Sequence, residues 1–348
     1  MSPSIFLIIT IILILVFLFL VFSFEIISFT PKNDSQNMIN QNNLEKKSDP
    51  LVDILEYNNN CSDPQFVTLT TDRHLFQNCA LSKNITEMGA KKLEFELKSE
   101  LSPLYSELEP KDNVIVVFPT FTLSAYSEPG FYTFYRGDCD QEFHGVLFRD
   151  DDCLTVNIRT DFDGSYNTSD SGFKILNILN YNFITDIDID KNPSILNSYD
   201  TVILLHNEYV TKTEFDAITS HPNVVYLYPN ALYAEVSVDY ENNTMTLIRG
   251  HNYPEITITN GFDWVFDNTH PMEYDNSCMP WYFYEIDNGL MLSCYPENVL
   301  LTDAFLLKAL AEIDNPMWWN IYQKIDDKTV NEEEEDIFLE FFKLVPKK

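Results

Sequence analysis

The chain has 348 residues, with 22 Lys and Arg against 54 Asp and Glu, and its formal net charge of −32 falls wholly from Glu25 onward. Such a surface repels phosphate backbones and anionic headgroups, which excludes nucleic acid as a partner. There is no G-x-G-x-x-G, no P-loop, no G-x-S-x-G elbow and no cysteine placed after a strand with a His partner, so nucleotide cradles and Ser or Cys nucleophiles are excluded as well.

Ile5 to Phe24 is an unbroken apolar stretch with only Thr10 and Ser23 as weakly polar members, long enough for a bilayer-spanning helix. It lacks the basic start and small-residue cleavage site of a signal peptide, so residues 1–29 are expected to be an uncleaved single-pass anchor in the cell membrane. Lys32, Lys46 and Lys47 after the anchor favour a cytoplasmic body by the positive-inside rule. Against that stand six cysteines, all downstream, and N-x-Ser/Thr sequences at Asn33, Asn60, Asn84, Asn167 and Asn242. The weight of these features favours an extracytoplasmic glycoprotein with neighbour-paired disulfides, Cys61–Cys79, Cys139–Cys153 and Cys278–Cys294.

Residues 30–65, rich in Asn, Gln, Ser, Asp and Lys, are expected to form a flexible stalk. Glu87 to Leu101 has helical periodicity. An α/β alternation then begins. Val114–Phe118 and Leu154–Ile158 are expected strands, Phe173–Phe183 a helix behind Ser169 and Asp170, and Ile184–Ile189 an edge strand alternating Ile with Asp. Val202–Leu205, a helix over Lys212–Ser220 capped by Thr211, and Val224–Leu227 make a strand–helix–strand unit of a parallel sheet. From 234 to 298 the pattern is β-rich: a hairpin of Ala234–Tyr240 and Thr244–Arg249, then Glu255–Thr259, Trp281–Ile286 and Leu290–Ser293. A helix over Asp303–Ile313 closes a body of residues 66–313, and a helical tail occupies 314–348.

Two neighbouring strand ends carry chemistry. The run ending at Leu205 meets His206, Asn207, Glu208 and Tyr209; the next meets Asn230 and Tyr233. His206 and Glu208, two apart beyond a strand, can face one side and do acid–base or metal work; the plainer alternative is a helix N-terminal region. Alone, Asn230 reads as a turn residue. The aromatic run Thr120–Tyr135, broken by Pro129 and Gly130, is either a pocket wall or a packed loop. Asp186, Asp188 and Asp190 begin like a calcium loop, but Lys191 and Asn197 occupy its Gly and Glu positions, so that pattern fails.

Taken together these pieces resemble the C-terminal catalytic domain of the large subunit of N,N-dimethylformamidase, a relative of the class I glutamine-amidotransferase-like fold. Ala125, Tyr126, Ser127, Gly130 and Tyr135 resemble its AYN loop; Val156, Asn157, Ile158, Arg159 and Tyr166 its Arg-containing loop; His206 to Val210 its HPEYW signature; and Asn230 and Tyr233 its GGN-x-x-Y signature. The likeness spans Val114 to Gly250 and departs from the pattern at Ser127, Val210 and Tyr228–Pro229. It implies an α/β, flavodoxin-like parallel sheet with helices on both faces. It also implies a mononuclear iron held by Tyr126, Tyr166 and Glu208, with His206 and Asn230 handling water and carbonyl, and hydrolysis of a small-molecule or peptidic amide. The alternative is an anchored envelope or binding protein that keeps the fold without turnover, with carbohydrate as another ligand class.

Overall fold

The computed structural model describes residues 66–69, 74–81, 85–86, 89–90, 93–139, 142–143, 146–147, 153–160 and 168–346. The expected anchor and stalk, Tyr166 and Cys61 lie outside them, as does the side chain of Cys79. Among the described residues no helix is long and apolar enough to cross a membrane.

The fold is mixed α/β. Its main sheet contains β1 (Val114–Phe118), β2 (Asn182–Thr185), β3 (Thr201–Leu204), β4 (Val224–Tyr226), β5 (Phe283–Ile286) and β6 (Gly289–Leu292) in the order β2-β1-β3-β4-β6-β5. All neighbours are parallel except the β6–β5 hairpin at one edge. Counting only the parallel strands in chain order, the sequence across the sheet is 2-1-3-4-5, so the chain reverses direction between β1 and β3. The register places Val202 of β3 beside both Ile115 of β1 and Val224 of β4.

The runs VIVVF, TVIL and VVY are apolar without alternation because both faces of these strands are covered. Val114, Val116 and Phe118 face a core shared with Phe173 and Leu176 of helix α2, where α1 is Thr120–Ala125 and α2 is Asp170–Ile178. Ile115 and Val117 face the opposite core, shared with Ile189 of α3 (Asp186–Lys191) and Ile218 of α4 (Lys212–Ser220). The closing helix α5 (Ala304–Ala311) returns to the first side with Leu306 and Leu310. Each large side chain so buried contributes about 1.5–3 kcal/mol, and the two-sided covering fixes the sheet.

A second sheet has four strands. Tyr209–Val210, immediately after β3, pairs in parallel with Ala234–Asp239, which forms the expected hairpin with Thr244–Arg249, and Thr155–Asn157 adds the last strand. It shares a third core with Phe121 and Phe131. Disulfides join Cys139 to Cys153 and Cys278 to Cys294, as neighbour pairing predicts.

Several expectations are corrected. Of the helix expected over Glu87–Leu101, the described part is mainly a strand, Leu93–Leu97, paired with Phe76–Leu81; a 3-10 turn follows at Ser99–Leu101, and an α-helix begins at Ser102. Residues such as Leu and Glu suit helices by local propensity, but here a nonlocal strand partner overrides it. Ile184–Ile189 is not one strand. β2 ends at Thr185, whose hydroxyl accepts from the Asp188 backbone N–H while the Asp188 carboxylate accepts from the Thr185 N–H, a capping box that starts α3. The Ile–Asp alternation imitated a strand period. Ser169 precedes α2 without capping it by its side chain; its hydroxyl serves the His206 N–H instead. Glu255–Thr259 forms no strand, and Ile256 is 82% exposed with nothing to pack on. The β-rich section divides between sheets, because β5 and β6 complete the main one. Leu154–Ile158 also leaves the main sheet for the second.

Candidate active site

The carboxyl ends of β1 and β3, where the chain reverses direction, are where a crevice opens in an open parallel sheet. From β1 the chain passes through Pro119 into α1 and delivers Tyr126 at its end. From β3 it delivers His206, Asn207 and Glu208 before Tyr209 joins the second sheet.

These segments are fastened to each other by buried hydrogen bonds. The Thr122 hydroxyl of α1 accepts from the backbone N–H groups of Glu208 and Tyr209, at 2.9 and 3.2 Å. The Glu208 carbonyl accepts from the N–H groups of Tyr233 and Ala234. Asp186 bridges both segments: one oxygen accepts from the Phe121 N–H at 2.7 Å, the other from the Asn207 side-chain amide at 2.5 Å. Asp186 and Glu214 are fully buried neighbours: burial raises the Asp186 carboxyl, opposed by hydrogen bonds from Phe121, Glu214 and Asn207, while burial and the neighbouring Asp186 raise the Glu214 carboxyl well above its ordinary range.

Glu208 is completely buried. Its carboxylate accepts from the Tyr126 hydroxyl at 3.1 Å and from the Tyr132 hydroxyl at 3.3 Å to both oxygens. The two hydroxyls are themselves 2.7 Å apart, their rings stacked with centroids at 4.2 Å. The turn between them passes so close to itself that a Cβ on Gly130 would lie 2.5 Å from the Ser127 carbonyl oxygen, so glycine is required there by space. His251 Nε2 lies 2.5 Å from Glu208 Oε1 and His206 Nε2 3.8 Å from Oε2. Burial opposes ionisation of Glu208, but His251, His206 and the Tyr126 hydroxyl outweigh it and hold the carboxyl below its ordinary range. Burial, reinforced by the Glu208 charge, pushes the Tyr126 and Tyr132 phenols far up, so without a cation they remain neutral donors.

Of the residues expected from sequence, Tyr126, His206 and Glu208 come together. Asn230 takes a left-handed backbone (φ 70°) and its carbonyl oxygen accepts from Thr269, while its buried Nδ2 has no protein hydrogen-bond partner. It reaches the centre only through Thr269, which lines the adjoining cavity. Tyr166 falls outside the described residues.

Two members were not foreseen. Tyr132 lay in the aromatic run flagged by its density, but nothing in the sequence singled it out from its neighbours. His251 stands 43 residues beyond Glu208, past the hairpin. Its φ of 51° and the 64° of Asn252 mark a tight left-handed corner after Gly250, invisible in composition.

Among the described residues no three His, Cys, Asp or Glu side chains form a metal-holding group. The convergence is instead of one carboxylate and two phenols, with oxygen separations of 2.7, 3.1 and 3.3 Å. Adjacent oxygens around a six-coordinate ion with bonds of about 2.0 Å stand about 2.8 Å apart, so these oxygens fit a common ion with small adjustments. A bound cation would also replace the phenol protons and reverse the upward shift. Beside this centre lies a cavity of about 560 Å³ whose walls include Tyr132, Tyr135, Tyr233, His251 and Glu273.

No family model matches this sequence, and no curated protein matches it either.

Proposed function

We propose that this chain is a membrane-anchored, extracytoplasmic amide hydrolase of the dimethylformamidase type, built on an amidotransferase-like, flavodoxin-like sheet. The observation that carries the reading is the gathering of the Tyr126, Tyr132 and Glu208 oxygens at the sheet's reversal point. The 2-1-3-4-5 order of parallel strands agrees with that fold class. The disulfides suit an oxidising compartment, hence an external body.

In this reading Glu208, Tyr126 and Tyr132 would hold a ferric ion, Tyr132 supplying a second phenol from within the described residues. Tyr166 keeps the place that the resemblance gives it. The ion would supply Lewis acidity, polarising the amide carbonyl and acidifying water. His251 orients the Glu208 carboxylate through Oε1. His206, at 3.8 Å from the other oxygen, is placed to take or return a proton at Nε2. Asn230 meets the cavity wall through Thr269, and the carbonyl-handling place is the one that the resemblance gives it.

One observation favours a second reading, a binding protein without turnover: Glu208 is wholly buried and already supplied with donors by the protein itself. Metal analysis separates the two. The hydrolase reading expects close to one iron per full-length chain, with a visible tyrosinate-to-iron absorption band. Glu208→Gln should lose both and retain the circular dichroism of the parent. Folded, colourless, iron-free protein that takes up no added iron rejects the hydrolase and leaves the binding reading.

A further inference from the structure

We propose that the cavity beside Glu208 is a recognition pocket for a positively charged alkylammonium group, so that the substrate of the proposed hydrolase is an amide carrying such a cation. The amide half of this statement rests on the hydrolase reading; the cation half does not.

The walls carry the argument. Five of the residues lining the cavity are Tyr132, Phe134, Tyr135, Tyr233 and Tyr274, and His251, His270 and Glu273 line it with them. The rings do not form one stack. Tyr132 meets Tyr135 at 87°, Tyr233 meets His251 at 79°, and the centroid separations are 5.5 and 4.6 Å. These pairs pack edge to face on one another, and the ring surfaces they leave toward the cavity would make an aromatic cage. Ring faces carry the negative end of the quadrupole and attract alkylammonium ions.

Charge selects among the ligands such a box could take. Among the described residues no Lys or Arg lines the cavity, and the one carboxylate on its wall is Glu273. Burial and the neighbouring Glu208 charge raise the Glu273 carboxyl above its ordinary range, opposed by a hydrogen bond from Tyr274 and by His206 and His251. A cation seated among the rings would relieve both the burial and the repulsion. An anionic ligand would face Glu273, Glu208 and the field of a chain with net charge −32. A neutral apolar ligand would gain nothing from the carboxylate. A volume of about 560 Å³ admits a small amide with its ammonium head, and Tyr132 and His251 touch both the cavity and Glu208. The head in the cage would therefore set the amide against the catalytic oxygens.

The test is equilibrium binding of choline to iron-free full-length protein, beside its uncharged carbon isostere dimethylbutanol and a panel of neutral monosaccharides. Measuring without iron and without turnover keeps the result independent of the hydrolase reading. Choline is expected to bind about tenfold more tightly than the isostere, a ratio typical of a partly desolvated cation–π site. Glu273→Gln should weaken choline several-fold and leave the isostere unchanged, and Glu273→Lys should abolish choline binding. Glu273 is half-buried and its carboxylate hydrogen-bonds the exposed Tyr274, and unchanged circular dichroism confirms that each variant is folded. Equal affinity for choline and the isostere, preference for a sugar, or no choline binding overturns the proposal.

Discussion

Glu297→Gln tests how the Tyr228 ring beside His206 is held. Glu297 is 3% exposed; its carboxyl accepts from the Ser171 N–H at 2.7 Å and from the Tyr228 hydroxyl at 2.6 Å. It thereby ties the start of α2 to the ring that stacks beside His206. Burial raises this carboxyl from 4.5 to about 7, the two hydrogen bonds opposing only part of the effect. The sign follows from linkage. Below about pH 4.5 both folded and unfolded chains carry the proton, and Glu297 costs nothing. As pH rises toward 7 the unfolded chain releases its proton while the folded chain retains it, so stability falls, and above the folded value the loss is complete. The displacement corresponds to about 3 kcal/mol at roughly 1.4 kcal/mol per tenfold. Gln retains an oxygen for Ser171 but does not titrate. It also leaves the Tyr228 hydroxyl without its acceptor, a constant cost of about 1–3 kcal/mol at every pH. Urea unfolding of parent and variant across this window should therefore give curves that converge or cross, with the variant gaining about 3 kcal/mol on the parent from acid to neutral pH. Other titrating groups are common to both proteins and cancel in the difference. Parallel stability curves would refute the reasoning, since they would mean that Glu297 titrates alike in the folded and unfolded chains.

Asp186→Asn offers one acceptor where the Phe121 N–H and the Asn207 amide converge, so one donor is left unmet at a cost of about 1–3 kcal/mol. Because the same carboxylate holds α1 against the Glu208 loop, iron retention should weaken in that variant, and titration with a chelator measures it; unchanged retention would mean that Asp186 does not position the ligands. Replacing both Cys278 and Cys294 with Ser opens a link of sequence separation 16. Thermal unfolding should report a loss of about 3 kcal/mol, and an unaltered melting temperature would show that the loop is held by its other contacts.

The parts of this protein legible in sequence are those whose causes are local. VIVVF, TVIL and VVY announce strands covered on both faces because burial on two sides removes polar residues from the run. Thr211 caps α4 at the residue expected, since a cap needs only its own hydroxyl and the N–H of Glu214 three residues on. The hairpin after Ala234 and the two neighbouring disulfides are likewise short-range. His206 and Glu208 are legible because strand ends in a parallel sheet must emerge on one side, whereas Tyr126 enters only through the family resemblance.

Tertiary structure alone decided the rest. LEFEL is a strand because Phe76–Leu81 lies beside it, although its residues suit a helix. DIDIDK is a helix because the Thr185 cap and the packing of Ile187 and Ile189 outweigh its alternation. The strand GLML, distant in sequence, supplies the fifth parallel member of the main sheet. Most of all, Tyr132 and His251 join Glu208 only when a glycine turn and a left-handed corner bring them across tens of residues. Sequence determines which side chains are available and which strand ends carry them. Only the closing of nonlocal contacts, whose energy resides in no single segment, determines which of them meet at one carboxylate.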